Sequence, residues 1–376
     1  MSGASRLLEE PSEIADRQLP GLIEELRSIP LQELESPGNP GIPKAKEAGV
    51  SKLLIPSDYG GLGATAPEVM AIQFALGFTA PSTAVALTMH QFTAATLMEL
   101  VREAPTMEWI VMEAVATKNL LVASAFAEGR PDGKVLSPTM TLKADGPAFR
   151  LSGVKRPCSL TTSMDLITVS VNMPPPSEEF AVALIPASED GVRVEGGWNS
   201  PVLAGAETAG IVFDEVSVPR AALSYVGSTD DMDRTQIRAY IWFELCITAA
   251  YLGIAAGLVE RVLSAGRSDV AKTVEMTAEI EGSRSMLADA AHRLEGGDVT
   301  DRLLSRALLV RYATERAIQR ATDIAFELLG VAALAGDPAV GLLLPTSRAL
   351  SYHPPSRRRC EAALAEYMQG EELVME

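Results

Sequence analysis

The sequence predicts a mainly α, α+β fold assembled in three consecutive parts: helices, then a compact antiparallel β segment, then an antiparallel helix bundle. Three observations predict it. Residues 12–118 carry apolar side chains at helical spacing, interrupted by Pro and Gly and not by strand-like alternation. Near residue 120 the texture changes to short alternating or β-branched runs punctuated by Gly, Pro, Asp and Ser. From Met232 onward the helical period returns in longer segments.

These observations divide the chain at 1–119, 120–222 and 232–376. In the first part, 13–28 has helical spacing and 30–43 is a Pro/Gly-rich break. The apolar run Leu53-Leu54-Ile55 then ends in a glycine loop, Gly60-Gly61-Leu62-Gly63. Thr65 suits an N-cap and Pro67 an early helical position, opening a helix through Thr79. Ser82 begins another apolar helix, which carries His90. In the second part, strands are expected at 142–151, 166–171, 180–185 and 211–218, with Pro174-Pro175-Pro176 in a loop. In the third, long helices are expected at 238–265, 270–294 and 302–329, and a shorter one at 360–368. The apolar stretch 245–259, flanked by Glu244 and Glu260, is shorter than the roughly 20 apolar residues of a spanning helix, so it reads as a buried core helix.

Composition narrows the function classes. The 376 residues are 47% hydrophobic, enough for a large core, and 22% charged without a long like-charge block, which excludes bulk disorder. A formal net charge of −17 repels nucleic acid and anionic membrane surfaces. Cys158, Cys246 and Cys360 are few, odd in number and far apart, as expected of reduced thiols in a cytoplasmic protein. No CxxC pair or His/Cys cluster marks a metal site. The first eleven residues lack the basic region and apolar run of a secretory signal.

Several motifs occur in order along nearly the whole chain. They are Leu54-Ile55-Pro56-Ser57-Asp58-Tyr59-Gly60-Gly61, then Ala123-Ser124-Ala125-Phe126-Ala127-Glu128-Gly129, then Phe149-Arg150-Leu151-Ser152-Gly153-Val154-Lys155. Phe213-Asp214-Glu215-Val216-Ser217-Val218-Pro219 and Leu287-Ala288-Asp289 follow. Together they resemble the acyl-CoA dehydrogenase superfamily. The resemblance implies a flavin, FAD in most members, bound between the β part and the bundle of a homodimer or homotetramer. It implies backbone contacts to the flavin near Phe126 and Ala127, a hydroxyl near its N5 from Ser159, and a pyrophosphate contact from Arg267. An isoalloxazine needs a dry, flat slot with hydrogen bonds at its edge.

The sequence also departs from the family pattern. Pro157 stands where an aromatic residue usually shields one flavin face, and the phosphate loop reads Gly129-Arg130-Pro131-Asp132-Gly133. The Phe-Gly that usually follows the Arg near position 267 is missing. Desaturation of an acyl thioester needs a base for the α-proton, usually a Glu before the last helix, but residues 348–357 contain no carboxylate. Some members carry the base on the first bundle helix, where Glu244 lies within one residue of the matching position, occupied by Phe243. One residue is about 100° of helical turn. His90 lies on a helix that in the family lines the substrate cavity. His353, in Arg348-x4-His353-x-Pro355, resembles a motif of the reduced-flavin monooxygenase branch, where histidines and a Ser like Ser159 surround the flavin. Imidazole is suited to proton transfer near neutral pH. His292 reads as a surface helix residue.

Three functions remain open at this point. The first is dehydrogenation of an acyl thioester carried by CoA or an acyl carrier protein, with Glu244 as base and an unspecified electron acceptor. The second is a two-component monooxygenase using reduced FMN or FAD from a partner reductase, with His90, His353 and Ser159 around the flavin. The third is a flavin-free scaffold.

Overall fold

The computed structural model describes residues 6–103, 108–129, 138–228, 232–266 and 269–375. The N-terminal region is helical: α1 (Arg6–Gln18), α2 (Leu22–Arg27), α3 (Leu31–Leu34), α4 (Gly41–Glu47), α5 (Ala66–Thr79), α6 (Pro81–Glu103) and α7 (Glu108–Thr117). The break expected at 30–43 thus holds two short helices, too brief to show a period. Thr65 caps α5 as expected, in a capping box with Glu68. At the start of α6 the buried Glu35 accepts hydrogen bonds from the Ser82 N–H at 2.8 Å and the Ser82 hydroxyl at 2.7 Å. Those bonds satisfy helix-terminal donors that would otherwise be orphaned.

The middle region contains β1 (Val122–Ala125), β2 (Lys143–Asp145), β3 (Ala148–Cys158), β4 (Leu166–Asn172), β5 (Phe180–Pro186), β6 (Val192–Glu195), β7 (Ala209–Pro219) and β8 (Leu223–Gly227). They form two four-stranded sheets, ordered β1-β4-β5-β8 and β2-β3-β7-β6. Every pairing is antiparallel except β1 with β4, which run parallel with Val122 opposite Leu166. The reason is connectivity: the chain leaves β1 and passes through β2 and β3 in the other sheet before returning as β4.

The C-terminal region comprises α8 (Arg234–Ser264), α9 (Val270–Glu295), α10 (Asp301–Gly336), α11 (Pro338–Ser347) and α12 (Arg357–Met368). Asp233, Asp269, Thr300 and Asp337 cap α8 to α11 with side-chain oxygens. Gly330, at φ 68° and ψ 179°, breaks α10 next to its sequence-predicted end. Helix α8 is long and apolar enough to cross a membrane, yet it is almost wholly buried among the other helices, as a core helix is. Its closest neighbour is α5. A Cβ on Gly77 would lie 2.0 Å from the Ala250 carbonyl oxygen, and one on Gly253 2.1 Å from that of Phe74. Only glycine lets these two backbones approach so closely.

Candidate active site

A cleft of about 1040 Å³ opens where the β region meets α6, α8 and the turn after α11. Helix α6 contributes Val85, Met89, Phe92, Thr93 and Thr96, at i, i+4, i+7, i+8 and i+11 and so on one face. Helix α8 contributes Ala239, Tyr240, Phe243 and Tyr251. The Phe92 and Phe243 rings meet edge to face with centroids 5.4 Å apart, closing an apolar wall.

The β region forms the opposite side. Phe126 and Ala127 leave the end of β1 and line the cleft, with the Ala127 carbonyl accepting from the Arg156 N–H at 2.8 Å. Ser159, just past β3, also lines it, and its Oγ is 2.9 Å from the Oγ1 of Thr208, another lining residue. Two neutral hydroxyls bonded to each other use one of their two protons, so the pair retains one O–H donor. Glu128 is the single carboxylate among the described lining residues. Burial acts to raise its pKa, but hydrogen bonds from Lys155 at 2.8 Å and from Thr139 outweigh it and hold the pKa at about 2. A carboxylate so stabilised is a poor proton acceptor.

The third wall is the 3₁₀ turn Arg348–Tyr352 with His353, Pro354 and Pro355 after it. His353 Nε2 lies 2.7 Å from the Tyr251 hydroxyl, and both residues line the cleft. Burial, aided by the nearby Arg311 guanidinium, depresses the His353 pKa to about 3, and burial raises that of Tyr251. Both rings are therefore neutral near pH 7. Whichever of them donates, one N–H or O–H donor of the pair is left over.

The other two expected catalytic residues lie elsewhere. His90 is fully buried, and both its nitrogens are taken within the fold: Nε2–H donates to the Ser51 carbonyl at 2.9 Å, and Nδ1 accepts from the Val122 N–H at 3.1 Å. It fastens β1 to the N-terminal region and does not line the cleft, although its helix does. It sits about 100° around α6 from Met89. Glu244 likewise points away from the cleft. Its neighbour Phe243 faces the cleft, while Glu244, fully buried, grips Arg311 Nη1 through both carboxylate oxygens at 3.1 and 3.0 Å. Burial pushes its carboxyl up against the opposing Arg311 charge, and Arg311 stays a cation. A carboxylate so engaged cannot reach a substrate in the cleft.

Arg267 and residues 130–133 of the phosphate loop lie outside the described residues. Gly129, at the start of that loop, lines the cleft. Tyr251, Thr208 and Arg311 escaped the sequence reading.

A family model for the acyl-CoA dehydrogenase C-terminal domain matches residues 245–352. The chain belongs to the acyl-CoA dehydrogenase superfamily, and its fold is one used by flavin-dependent oxidoreductases. Within that family it is 36% identical over 373 residues to isobutylamine N-hydroxylase of Streptomyces viridifaciens, covering 97% of this chain and 98% of the relative. Two solved structures share the fold across nearly the full length. KijD3 in complex with FMN and a dTDP-linked amino-keto sugar superposes with a TM-score of 0.84 at 17% identity, covering 98% of this chain and 96% of that one. FMN-bound TdsC from Paenibacillus sp. A11-2 gives 0.80 at 18% identity, covering 99% of each chain.

Proposed function

We infer that this chain is a flavin-dependent monooxygenase that hydroxylates the nitrogen of a small apolar amine. One observation carries the choice of reaction: among the described residues, the cleft holds no carboxylate able to act as a base, because Glu128 is committed to Lys155 and Thr139. Desaturation of an acyl thioester requires such a base. Oxygenation of an amine does not, since the neutral nitrogen is itself the nucleophile. The likeness to isobutylamine N-hydroxylase supports the same reading.

The residues present fit a flavin. The cleft volume lies at the upper end of the roughly 300–1,000 Å³ of small-molecule sites, which leaves room beside the cofactor for a short amine. Phe126 and Ala127 would face the flavin with backbone groups, and Ser159 with Thr208 would offer an O–H donor to its edge. Reduced flavin, when bound, supplies the two electrons with which dioxygen gives one oxygen atom to the amine nitrogen and the other to water. A partner reductase is the fitting source of that reduced FMN or FAD.

The chain's own contribution is then to bind, orient and keep the site dry. Val85, Met89, Phe92 and Phe243 would hold an alkyl group and exclude water. An ammonium ion would find no uncommitted counter-charge on this wall, and burying an unpaired charge is costly. The amine is therefore bound neutral. His353 and Tyr251 present one donor and one acceptor site, which would orient the neutral amine.

The test is to supply enzymatically reduced FMN or FAD, oxygen and isobutylamine to the purified protein and look for the hydroxylamine by mass spectrometry. The product should incorporate one atom of ¹⁸O from labelled dioxygen. With an amine pKa near that of lysine, about 10.4, kcat/KM should rise about tenfold per pH unit between pH 7 and 9. Bleaching of bound oxidised flavin by acyl-CoA thioesters, with no amine product, would establish the dehydrogenase instead. Failure to bind FMN or FAD would leave the scaffold.

A further inference from the structure

Behind His353 lies a fully buried cation, Arg311. Arg311, on α10, has no exposed side-chain surface, and its three guanidinium nitrogens make five contacts. Nη1 reaches both Glu244 oxygens, and Nε donates to Glu315 at 3.2 Å. Nη2 donates to the carbonyls of Leu350 at 2.9 Å and His353 at 2.7 Å. The Leu350 carbonyl, near the end of the 3₁₀ turn Arg348–Tyr352, also accepts the His353 N–H at 3.2 Å, and the His353 carbonyl lies just past the turn, so Nη2 ties the turn's end to α10. The turn and the loop beyond it form one wall of the cleft, including Arg348, Tyr352, His353 and Pro355.

The arrangement joins three elements at one point. Glu244 belongs to α8, the same helix that supplies Tyr251. Arg311 belongs to α10, and His353 to the wall. The carboxylate fixes the guanidinium, the guanidinium fixes the His353 backbone, and the His353 ring then meets Tyr251 Oη at 2.7 Å. A planar guanidinium has five donors in a rigid fork, so it can hold a carboxylate with one terminal nitrogen and two carbonyls with the other. A lysine ammonium has three donors on a flexible stem and cannot reproduce that bridge. An apolar pair would pack this core position at least as well as an ion pair does, so stability alone gives no reason for the charges.

We propose that Arg311, held by Glu244, is a positioning residue that sets the cleft wall so that His353 meets Tyr251 and the substrate. The proposal rests on the reading of His353 as part of an amine-oxygenating site. It assigns Glu244 a role opposite to a base, since its task is to remain ionised and immobile.

The experiment is a double-mutant cycle between Arg311→Lys and His353→Ala, run with reduced flavin, oxygen and isobutylamine. If Arg311 acts through His353, R311K should lower kcat about 10- to 100-fold and change flavin affinity less than about threefold. The double variant should then be no slower than H353A alone, within about threefold. Losses that multiply in the double variant, or an R311K rate within about threefold of wild type, would overturn the proposal. Should R311K fail to fold, Glu244→Gln takes its place in the cycle and is read in the same way.

A second measurement needs no turnover. The ¹⁵N signals of the His353 imidazole should report one tautomer in the wild type and an averaged pair in R311K or E244Q. Unchanged signals would overturn the proposal whatever the rates. If H353A itself keeps the wild-type rate, the reading of His353 in the reaction fails, and the imidazole signals still decide whether Arg311 positions it.

Discussion

His90 and His353 make an instructive pair. His90 is fully buried and His353 half-buried at the cleft, and loss of solvation depresses both pKa values, to about 4 and about 3. Both lie on elements that border the cleft. The difference is what occupies the ring nitrogens. His90 spends both on backbone groups, Ser51 O and Val122 N–H, so it has nothing to offer a ligand. His353 meets a side chain that itself lines the cleft, so the pair keeps a donor for a guest. A perturbed pKa therefore does not show which histidine could serve a ligand, whereas counting hydrogen-bond capacity shows which has a position to spare.

The largest effect falls on the structural partner. His90→Ala leaves the Ser51 carbonyl and the Val122 N–H buried without their side-chain partner, at about 1–3 kcal/mol each, so stability should drop by about 4 kcal/mol. A urea melt monitored by circular dichroism measures it. The turnover of the folded fraction should stay within a few-fold of wild type. His353→Ala should do the reverse. A misoriented substrate can cost about 100-fold, or about 2.7 kcal/mol of barrier, so loss of the group that orients the amine should lower hydroxylamine formation by that factor with the melt little changed. An H90A protein that is stable but inactive would collapse the distinction.

Legibility in the sequence divides along the same line. The three-part order, the long helices and the Thr65 cap were readable because apolar period and capping chemistry are local signals. Ser159, Phe126, Ala127 and His353 were also reached, through motif position, and all four line the cleft. The short helices α3, α4 and α11 were not, since a few residues carry no period. Which side of a helix faces the cleft was not legible either. His90 and Glu244 each sit one residue from a cleft-lining neighbour, Met89 and Phe243, and at about 100° per residue a one-residue error exchanges cleft for core. Arg311 did leave a trace. It interrupts the buried stripe Leu304, Leu308, Ile318 of α10, and a charge on such a stripe calls for a buried partner. The partner, Glu244, is 67 residues away and only the tertiary structure brings it near.

Acid stability sharpens the comparison at intermediate size. Below the ordinary histidine pKa of 6.5 the unfolded chain binds a proton at His90 and His353 while the folded chain does not. Each histidine therefore costs stability as pH falls, about 1.4 kcal/mol per pH unit until its folded pKa is reached. Glu35 acts in the opposite sense. Burial raises its pKa from 4.5 to about 7, against the Ser82 hydrogen bonds, so between those values the folded form holds a proton that the unfolded form lacks. Each histidine still adds about 1.4 kcal/mol per pH unit to the loss of stability between pH 6 and 5, whatever the buried carboxyls contribute. Gln has a donor and an acceptor with which to replace the imidazole, so His90→Gln should reduce the loss by about 1.4 kcal/mol per pH unit. Urea melts across that range check it, and an unchanged slope would mean that His90 is already protonated in the fold.

The smallest expected effect tests whether the same capacity argument extends to the hydroxyl pair. Ser159 and Thr208 share one hydrogen bond and so keep one spare O–H. If Ser159 directs that proton to the flavin, Ser159→Ala should weaken flavin binding by about 1 kcal/mol, a factor of about five. Thr208→Val should cost less than about twofold, because it removes Ser159's partner while freeing the Ser159 proton for the ligand. Fluorescence titration with FMN and FAD measures both. Equal losses in the two variants would mean that the bonded pair, and not Ser159, is the donor. The hydroxyls would then resemble Tyr251 and His353, where the spare donor belongs to the dyad and to neither ring alone.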